Sequence, residues 1–532
     1  MDQSKIVLLF HTVKYLRFKQ IYYRLYYALI SHFSYFKKDR IVEYTSYQLY
    51  WGLDLSTSNS YNNKVFTFLN LDYRFDRIDW NFADFGKLWT YNLNYFDFLN
   101  QDNISKEEGL GLIEDYIENE NKLKDGIEPY PTSLRLVNWI KFLTKHQIQD
   151  VKIDTILFKH LRLLNSNLEY HLLGNHLLEN AFALLFGSYY FRDEIIYKRA
   201  KNLLETELNE QILEDGAHFE LSPMYHQIIL TKVLDCIYLV QRNEWRKDGL
   251  KSFLESKACE MLSWLEAVTY SNGAVPKVND TAYGIASSSI KIFEYAKNLK
   301  LNICQAEHVE AQNSKLTDSG YRKWVLNDME LFMDIGDIGP DYIPGHAHAD
   351  TFNFELYVKG KPIIVDTGIS TYEKNSRRQL ERSTESHNTI RLDEKDSSEV
   401  WGGFRVAKRA KIISLLESED TIEATHDGYK NIGAYHTRTF KKTKKSITIN
   451  DKIDSKNKYL IESFLHFHPN CSVSINGSCI EIDSELVIDI TNVKKISLDD
   501  YDYALGFNKT TKAKKIRAFV EQDSQIIISS LD

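Results

Sequence analysis

Two histidines stand two positions apart within PGHAHADTFNFELYVKGKPIIVDTG, residues 344–368. His346 and His348 would point to one face of an extended chain, because side chains alternate along a strand. Asp366 ends the second apolar run of this stretch, and His387 follows in RSTESHNTI. Two histidines and an aspartate, with water as a fourth ligand, form a set typical of zinc. The spacing is compatible with a metal site and equally with ordinary surface histidines.

The geometry of a hairpin constrains any such metal site. A tight turn at 359–362 would pair Asp366 with about Glu355, and not with His348. The chain between His348 and Thr351 must therefore bend back if the ligands are to meet. Spacing alone leaves three interpretations open, namely a metal site, a catalytic site, and a hairpin with histidines at its mouth.

A strongly apolar helix is predicted to begin with polar residues in GNHLLENAFALLF. Asn175 and His176 stand side by side there, and Glu179 and Asn180 follow within one turn. Asparagine caps helices well, because its side-chain oxygen accepts a hydrogen bond from a helix N–H. Capping is thus the simplest interpretation of Asn175. A helix start with so many polar groups, however, usually faces something other than the core.

A tyrosine near the start of a second helix is a candidate for proton transfer. In LNEQILEDGAHFELSPMYHQIIL, Pro223 suits the first turn of a helix that carries Tyr225. Tyr225 either packs or acts as a general acid or base, the latter if cationic neighbours lower its pKa. The same stretch holds Glu214, Asp215 and Glu220, which allow a pair of carboxylates for a glycoside hydrolase instead.

The elements that must position these residues change type along the chain. Residues from about 85 to 310 show helical periodicity with short polar joints, which indicates a helical array or toroid. After about 315 the runs are short, alternating and β-branched, as in antiparallel sheets. We therefore predict an α+β multidomain chain, with an amphipathic helical lead at 1–60, a toroid catalytic domain at 61–315 and a β-sandwich at 316–532.

Composition narrows the class of protein. The 532 residues are 43% hydrophobic and 26% charged, as in a soluble globular chain. A formal charge of −8 argues against nucleic acid as a partner. Five cysteines without a CxxC pair argue against a disulfide framework. The N-terminus shows neither a persuasive signal peptide nor a transmembrane span, so we expect a cytoplasmic protein, with a periplasmic or cell-envelope location as the alternative.

Four motifs in order resemble a known family. NHLLEN, DGAHFELSPMYH, GHAHADTFNFEL…IVDTG and RSTESHNTI are together similar to the heparinase II/III family of polysaccharide lyases, which includes alginate and oligoalginate lyases. The similarity extends from about residue 85 into the β half. The resemblance implies an incomplete α/α toroid followed by antiparallel β-sheets with a heparinase II/III-like C-terminal domain. That order agrees with the periodicity.

The resemblance implies β-elimination at a uronic acid, with loss of the C5 proton and of the oxygen at C4. Asn175 and His176 match the positions that hold and neutralise the uronate carboxylate. Tyr225 matches the catalytic tyrosine, and His346 matches its partner histidine. Neutralising the carboxylate lowers the barrier to removing a weakly acidic proton, by about 3 to 4 kcal/mol for each well-placed donor.

The resemblance also implies one divalent metal, commonly a structural zinc, with His348, Asp366 and His387 as its ligands.

Five further residues are predicted to line the cleft and bind substrate. Arg135 would be a fork for a carboxylate or sulfate, beside Asn138. Trp139 is either a stacking platform or, as slightly favoured, toroid core. Tyr372 and Arg382 flank the metal motif.

The expected partner is an acidic polysaccharide or oligosaccharide, and a homodimer stays open. The lead resembles that of family members linked to surface-polysaccharide production, so the substrate could be a capsular or exopolysaccharide. The lead itself either packs onto the next domain or lies against a membrane surface. Alternatives to a lyase are a glycoside hydrolase, a uronate C5-epimerase, and a non-catalytic protein that binds or assembles polysaccharide.

Overall fold

The computed structural model describes most of the chain, namely residues 3–30, 44, 46–52, 59–301, 316–483 and 485–531. The predicted change from helix to strand near 315 falls at the edge of residues 302–315, which lie outside the described residues. Much of the second half of the predicted lead, including 31–43 and 53–58, lies outside them as well. Within the described part of the lead there are two helices, α1 (Gln3–Val13) and α2 (Phe18–Ile30).

The first half of the chain is built from stacked helices. They are α3 (Lys87–Tyr95), α4 (Lys106–Asn119), α5 (Pro129–Lys145), α6 (Val151–Ser166), α7 (Gly174–Phe191), α8 (Glu194–Gln211), α9 (Pro223–Arg242), α10 (Leu250–Val268) and α11 (Ser289–Asn298). Helix α7 is apolar on nearly every side and buried, as expected of a central helix. It packs against α5, α6, α8 and α9, while α10 and α11 pack on α9.

A small sheet that the sequence did not suggest precedes these helices. Strands β1 (Tyr61–Asn62), β2 (Val65–Phe68) and β3 (Leu71–Arg74) pair antiparallel. Phe66 and Phe68 are buried, and the Phe68 ring lies 5.1 Å from that of Trp89 on α3. The strands are two to four residues long, too short for a clear alternating pattern in the sequence.

The second half consists of antiparallel sheets. A four-stranded sheet contains β4 (Tyr321–Leu326), β5 (Met329–Asp334), β6 (Phe354–Val358) and β7 (Lys361–Ile364). A ten-stranded sheet contains β8 (Ile390–Leu392), β11 (Ile412–Glu417), β12 (Thr421–His426), β13 (Ala434–Lys442), β14 (Ser446–Ser455), β15 (Ile461–His466), β16 (Val473–Asn476), β17 (Cys479–Ile482), β18 (Leu486–Gly506) and β19 (Lys509–Ser530). A short ribbon contains β9 (Val400–Trp401) and β10 (Arg405–Val406), and helix α12 (Ser376–Glu381) lies between β7 and β8.

The two larger sheets share one hydrophobic core and so form a sandwich. Leu331 and Phe354 of the four-stranded sheet pack in the same cluster as Ile449 and Ile516 of the ten-stranded sheet. The predicted fold class, helical toroid followed by antiparallel β-sandwich, is confirmed. Among the described residues, none of the helices has the length and hydropathy needed to cross a bilayer.

The two halves meet along a seam that carries loops from both. Tyr270, just after α10, stacks on Tyr357 of β6 with ring centroids 3.7 Å apart. The chain before β6 and the chain after β7 both return to this seam, next to the first turn of α9. Asn175, Tyr225 and His346 lie there.

Candidate active site and an adjoining buried cluster

Tyr225 lies in the first turn of α9, at the seam. Ser222 caps the helix, with its Oγ accepting a hydrogen bond from the backbone N–H of Tyr225 at 3.4 Å. The Tyr225 hydroxyl lies 3.1 Å from that of Tyr372, and its ring lies 4.0 Å from the imidazole of His346. Burial raises the pKa of Tyr225 well above its ordinary value, although the hydrogen bond to Tyr372 opposes the shift. Tyr225 therefore carries its proton near neutral pH.

His346 is held by two carboxylates and stays partly open, with 15% of its side chain exposed. Its Nδ1 lies 2.8 Å from Asp280 Oδ2, and its Nε2 lies 3.5 Å from Glu220 Oε2. Burial alone would raise the pKa of Asp280, but the charge of Arg378 and hydrogen bonds from neighbouring histidines hold it well below its ordinary value. An ionised Asp280 only accepts, so Nδ1 carries the donated proton and Nε2 is left to exchange one.

Asn175 is the second residue of α7 and does not cap it, because the helix begins after Leu173. Its backbone N–H and its Nδ2 both donate to the carboxylate of Glu220, each at 3.2 Å. Gly174 has φ of 58°, and a Cβ there would meet Glu220 Oε1 at 2.8 Å. A glycine at this position thus allows the carboxylate to approach. Glu220 Oε2 is a common neighbour of Asn175 and His346.

His176 is the most open member of the group, with 36% of its side chain exposed. Its Nδ1 lies 3.2 Å from Glu169 Oε1, and its ring lies 4.6 Å from that of Tyr130. Burial lowers the pKa of His176, but the charge and hydrogen bond of Glu169 outweigh that effect, so the net shift is upward. Asn180 fixes Glu169 in turn by donating to its Oε2 at 3.0 Å. The raised pKa favours the cationic form of His176, which is a donor at the mouth of the seam.

The three carboxylates that suggested a hydrolase do not converge. Glu214 is exposed. Asp215 accepts from the backbone N–H and hydroxyl of Ser319, both at 2.7 Å, and so ties the helical half to the start of the β half. Glu220 is buried among the donors just described, and burial raises its pKa. No pair of facing carboxylates is available from these three residues for activating water.

Three buried side chains next to the seam form a candidate metal centre. One ligand atom from each of His348, Asp350 and His387 lies within 4.8 Å of the others, and all three residues are at most 1% exposed. Within the described part of the chain, His348 Nδ1, Asp350 Oδ2 and His387 Nε2 have no hydrogen-bond partner. Unpaired buried polar atoms are costly, and two nitrogens with one carboxylate oxygen suit a divalent metal such as zinc. The residues fit the expected metal.

The prediction of Asp366 as a ligand needs correction. The structure places Asp350, and not Asp366, among the three unpaired atoms. Asp366 uses Oδ2 to accept from His387 Nδ1 and Asn353 Nδ2, both at 2.7 Å, and Oδ1 to accept from Gly368 N. It therefore holds the His387 ring through Nδ1, as carboxylates commonly do for metal-binding histidines. The bend expected after His348 is present, since the Asn353 N–H donates to the backbone oxygen of Asp350 at 2.7 Å and Phe352 has φ of 71°.

Asp280 connects the seam residues around His346 with the candidate metal centre around His348. No motif in the sequence predicted it. Its Oδ2 faces His346 Nδ1, while its Oδ1 lies 2.9 Å from His348 Nε2. Arg378 of α12 donates to both oxygens at 2.5 and 2.7 Å. The only local signal was the polar pair in KVNDTAYG, which follows no motif. Asp350 had a clearer one, because it stands two residues after His348 and would share its face in extended chain.

Both predicted substrate-binding arginines, Arg135 and Arg382, lie in the core instead of the cleft. Arg135 is 2% exposed, and its Nη1 donates to the backbone oxygens of Asn94 and Gly126. Arg382 is 1% exposed and donates through Nε and Nη2 to the backbone oxygen of Ala347. Each guanidinium satisfies backbone carbonyls at a helix end or in a loop, which sequence alone does not distinguish from a fork for an anion.

The remaining predicted cleft residues divide between core and site. Trp139 is fully buried in toroid core, the interpretation slightly favoured from the sequence. Asn138 is 4% exposed and donates to the backbone oxygen of Tyr95 at 2.9 Å and to Asp97 Oδ1 at 2.5 Å, so it is a structural link. Of the five predicted substrate-binding residues, Tyr372 alone lies in the site, where its hydroxyl is hydrogen-bonded to that of Tyr225.

The comparisons with known proteins bear on the family and the fold of the chain. Residues 136–301 match the family model described as heparinase II/III N-terminus, and residues 309–530 match the one described as heparinase II/III-like, C-terminal. The structure resembles a crystal structure of heparinase III with a TM-score of 0.66 at 15% identity, over 85% of this chain and 79% of that one. This likeness is one of fold.

Two curated relatives are similar over part of the chain. A heparin-sulfate lyase of Pedobacter heparinus is 24% identical over an alignment of 242 residues, which covers 41% of this chain and 36% of the relative. A heparin-sulfate lyase of Bacteroides stercoris is 21% identical over an alignment of 281 residues, which covers 49% of this chain and 40% of the relative. The matches thus span well under half the length of both relatives.

Proposed function

Since the chain belongs to the heparinase II/III family, we propose that it is a lyase that cleaves a uronic-acid-containing polysaccharide by β-elimination. One observation carries the proposal. A protonated tyrosine, Tyr225, and a histidine whose Nδ1 is committed to Asp280, His346, lie in contact at a partly open seam, next to the amide of Asn175. These are the groups needed to remove a proton, supply another and hold a carboxylate.

The uronate carboxylate is neutralised by Asn175 and His176. An amide nitrogen has two N–H donors, so Asn175 keeps one for substrate while the other holds Glu220. The raised pKa of His176 favours its charged form, which pairs with a carboxylate. As C5 loses its proton, negative charge moves onto these oxygens, and donors already in place stabilise it without reorganisation.

Tyr225 and His346 share the proton transfers. The Nε2 of His346 accepts the C5 proton, because its Nδ1 is committed to Asp280. The hydroxyl of Tyr225 donates its proton to the departing oxygen at C4, since its raised pKa keeps it protonated until that oxygen gains charge. Tyr372, at 3.1 Å, stabilises the resulting tyrosinate by hydrogen bonding. Each transfer contributes roughly 100- to 10,000-fold in rate.

The second part of the proposal concerns a divalent metal, which we take to be zinc, bound by His348, Asp350 and His387. The three unpaired buried atoms support it. When bound, the metal supplies positive charge that satisfies these atoms and ties the loop before β6 to the loop before β8. Its ligands are fully buried, so its role is structural and its influence on the site passes through the protein.

A finer proposal concerns the substrate. The relatives' names mention heparin sulfate, but the seam residues recognise a uronate carboxylate and would serve many acidic glycans. We propose a capsular or exopolysaccharide, supported by the resemblance of the lead to that of family members linked to surface-polysaccharide production.

The test is absorbance in the short ultraviolet during incubation with a panel of uronate polysaccharides, including the producing cell's own surface glycan. β-Elimination leaves a conjugated unsaturated uronate, so absorbance rises as chains shorten. Shortening without absorbance, with products heavier by one water, would show hydrolysis instead. Deuterium uptake at C5 from heavy water without shortening would show epimerisation, and neither change on any glycan would support a binding protein.

A further inference from the structure

The two N-terminal helices turn their apolar faces outward. On α2, one stripe of large apolar side chains recurs every three or four residues and is exposed: Phe18, Ile21, Tyr22, Leu25, Tyr26 and Leu29. Phe18 is 81% exposed, Leu25 63% and Leu29 66%. A surface helix of a globular protein normally shows the reverse, with the apolar stripe facing the core.

The inner face of α2 makes polar and aromatic contacts with the body of the protein. Gln20 and Tyr27 donate to backbone oxygens within 168–172, at 3.2 and 2.5 Å. The ring of Tyr23 stacks on that of Tyr170 with centroids 4.6 Å apart. The helix is therefore anchored in this orientation by directional contacts, with its apolar stripe exposed.

Helix α1 also exposes its apolar side chains to solvent. Its exposed apolar residues again recur at helical spacing: Ile6, Val7, Leu9, Phe10 and Val13. Its contacts with the β half are polar, since Thr12 accepts a hydrogen bond from Trp401 Nε1 at 3.1 Å. Just beyond it, the guanidinium of Arg409 lies 3.8 Å from the centre of the Tyr15 ring. Exposed large apolar side chains that recur along both helices are typical of an interaction surface.

The charge of this segment is opposite to that of the whole chain. Residues 3–30 contain five lysines and arginines and no acidic residue, in a chain with a formal charge of −8. Arg17 and Arg24 are used within the protein, by Glu210 and by the backbone of His171. Lysines 5, 14 and 19 are exposed. Their stems can lie along apolar surface while their ammonium groups reach anions.

We propose that helices α1 and α2 dock this protein on the surface of a lipid bilayer that contains anionic lipids. Exposed Phe, Leu and Ile side chains enter the boundary between headgroups and acyl chains, Tyr22 and Tyr26 sit at headgroup level, and the lysines pair with anionic headgroups. The helices have 11 and 13 residues. At about 16 and 20 Å they are shorter than the roughly 30 Å hydrocarbon core, so they lie along the surface.

The test uses the full chain and flotation with two kinds of vesicle, phosphatidylcholine alone and an equal mixture of phosphatidylcholine and phosphatidylglycerol. The protein is expected to float with the anionic vesicles and much less with the neutral ones, and added salt should weaken the interaction. The triple variant Phe18→Ser, Leu25→Ser, Leu29→Ser should bind at least roughly tenfold more weakly. These side chains are exposed, so the fold is expected to persist.

A matched control removes three equally exposed apolar residues elsewhere, Ile195→Ser, Ile290→Ser and Leu416→Ser, which are 79%, 57% and 63% exposed. It should bind vesicles as the wild type does. Equal flotation with neutral vesicles, or unchanged binding by the α2 variant, would overturn the proposal. So would a protein that binds no vesicle and is a dimer by light scattering that the α2 variant dissociates, because the stripe would then belong to a second copy of the chain.

Discussion

His346 and His348 are two residues apart, yet they lie in opposite environments. His346 is partly open, has its ring 4.0 Å from that of Tyr225 and keeps Nε2 for proton exchange while Asp280 holds Nδ1. His348 is fully buried, with its Nδ1 unpaired beside Asp350 and His387. The residue type is the same, and so is the carboxylate that holds both rings, Asp280. Burial and the identity of the next neighbour therefore decide whether a histidine here serves substrate or metal.

The open side of this comparison should show the largest effect. Tyr225→Phe removes the proton donor and is expected to lower the lyase rate by roughly 100- to 10,000-fold, with the melting temperature nearly unchanged. The matched control is Tyr189→Phe, since the Tyr189 hydroxyl is buried without a hydrogen-bond partner among the described residues. That variant should keep full activity in the same ultraviolet assay. Equal losses in the two variants would remove Tyr225 from the chemistry.

The carboxylate shared by both sides comes next. Asp280→Asn leaves the charge of Arg378 buried without its partner, a change that typically costs about 3–5 kcal/mol of folding free energy. It also loosens both His346 and His348, so activity and metal content should fall together. Chemical denaturation, metal analysis and the ultraviolet assay measure the three effects. Loss of activity with full metal content would show that Asp280 serves the open side alone.

Two aspartate variants test which carboxylate binds the metal beside the buried His348. Asp350→Asn removes a proposed ligand and should abolish stoichiometric zinc binding. Asp366→Asn removes the acceptor that orients His387 and should weaken zinc binding by about 10- to 100-fold. Competition with a chromophoric chelator gives both affinities. If Asp366→Asn abolishes binding and Asp350→Asn only weakens it, Asp366 is the ligand, as the resemblance implied.

The smallest effect concerns pH. Because Glu169 raises the pKa of His176 above its ordinary value of about 6.5, its charge is present at low pH and is lost as pH rises through the raised pKa. We expect KM for a uronate substrate to increase several-fold across that window, while kcat changes less. His176→Asn should show no such change in KM. A pH profile of KM that is the same in both proteins would exclude His176 from carboxylate binding.

Much of the site could be predicted because its motifs are local. Asn175 with His176 lies in the first turn of α7, and Tyr225 lies in the first turn of α9, where spacing fixes relative direction. The His346–His348 pair lies within one short loop. Glu169, Asp280 and Arg378 could not be predicted in the same way. Each belongs to a segment without a pattern of its own, and each contributes through a partner at least seven positions away in sequence.

The sequence by itself determined the order of architectures and the identity of the candidate reacting groups, since helical and strand periodicities and short polar motifs are local properties. Only the tertiary structure decided which of the two neighbouring histidines is open, which aspartate lies among the unpaired ligand atoms, and that Arg135, Asn138 and Arg382 satisfy backbone and buried polar groups in the core. Burial and hydrogen-bond partners arise from contacts between distant segments, which spacing along the chain does not encode.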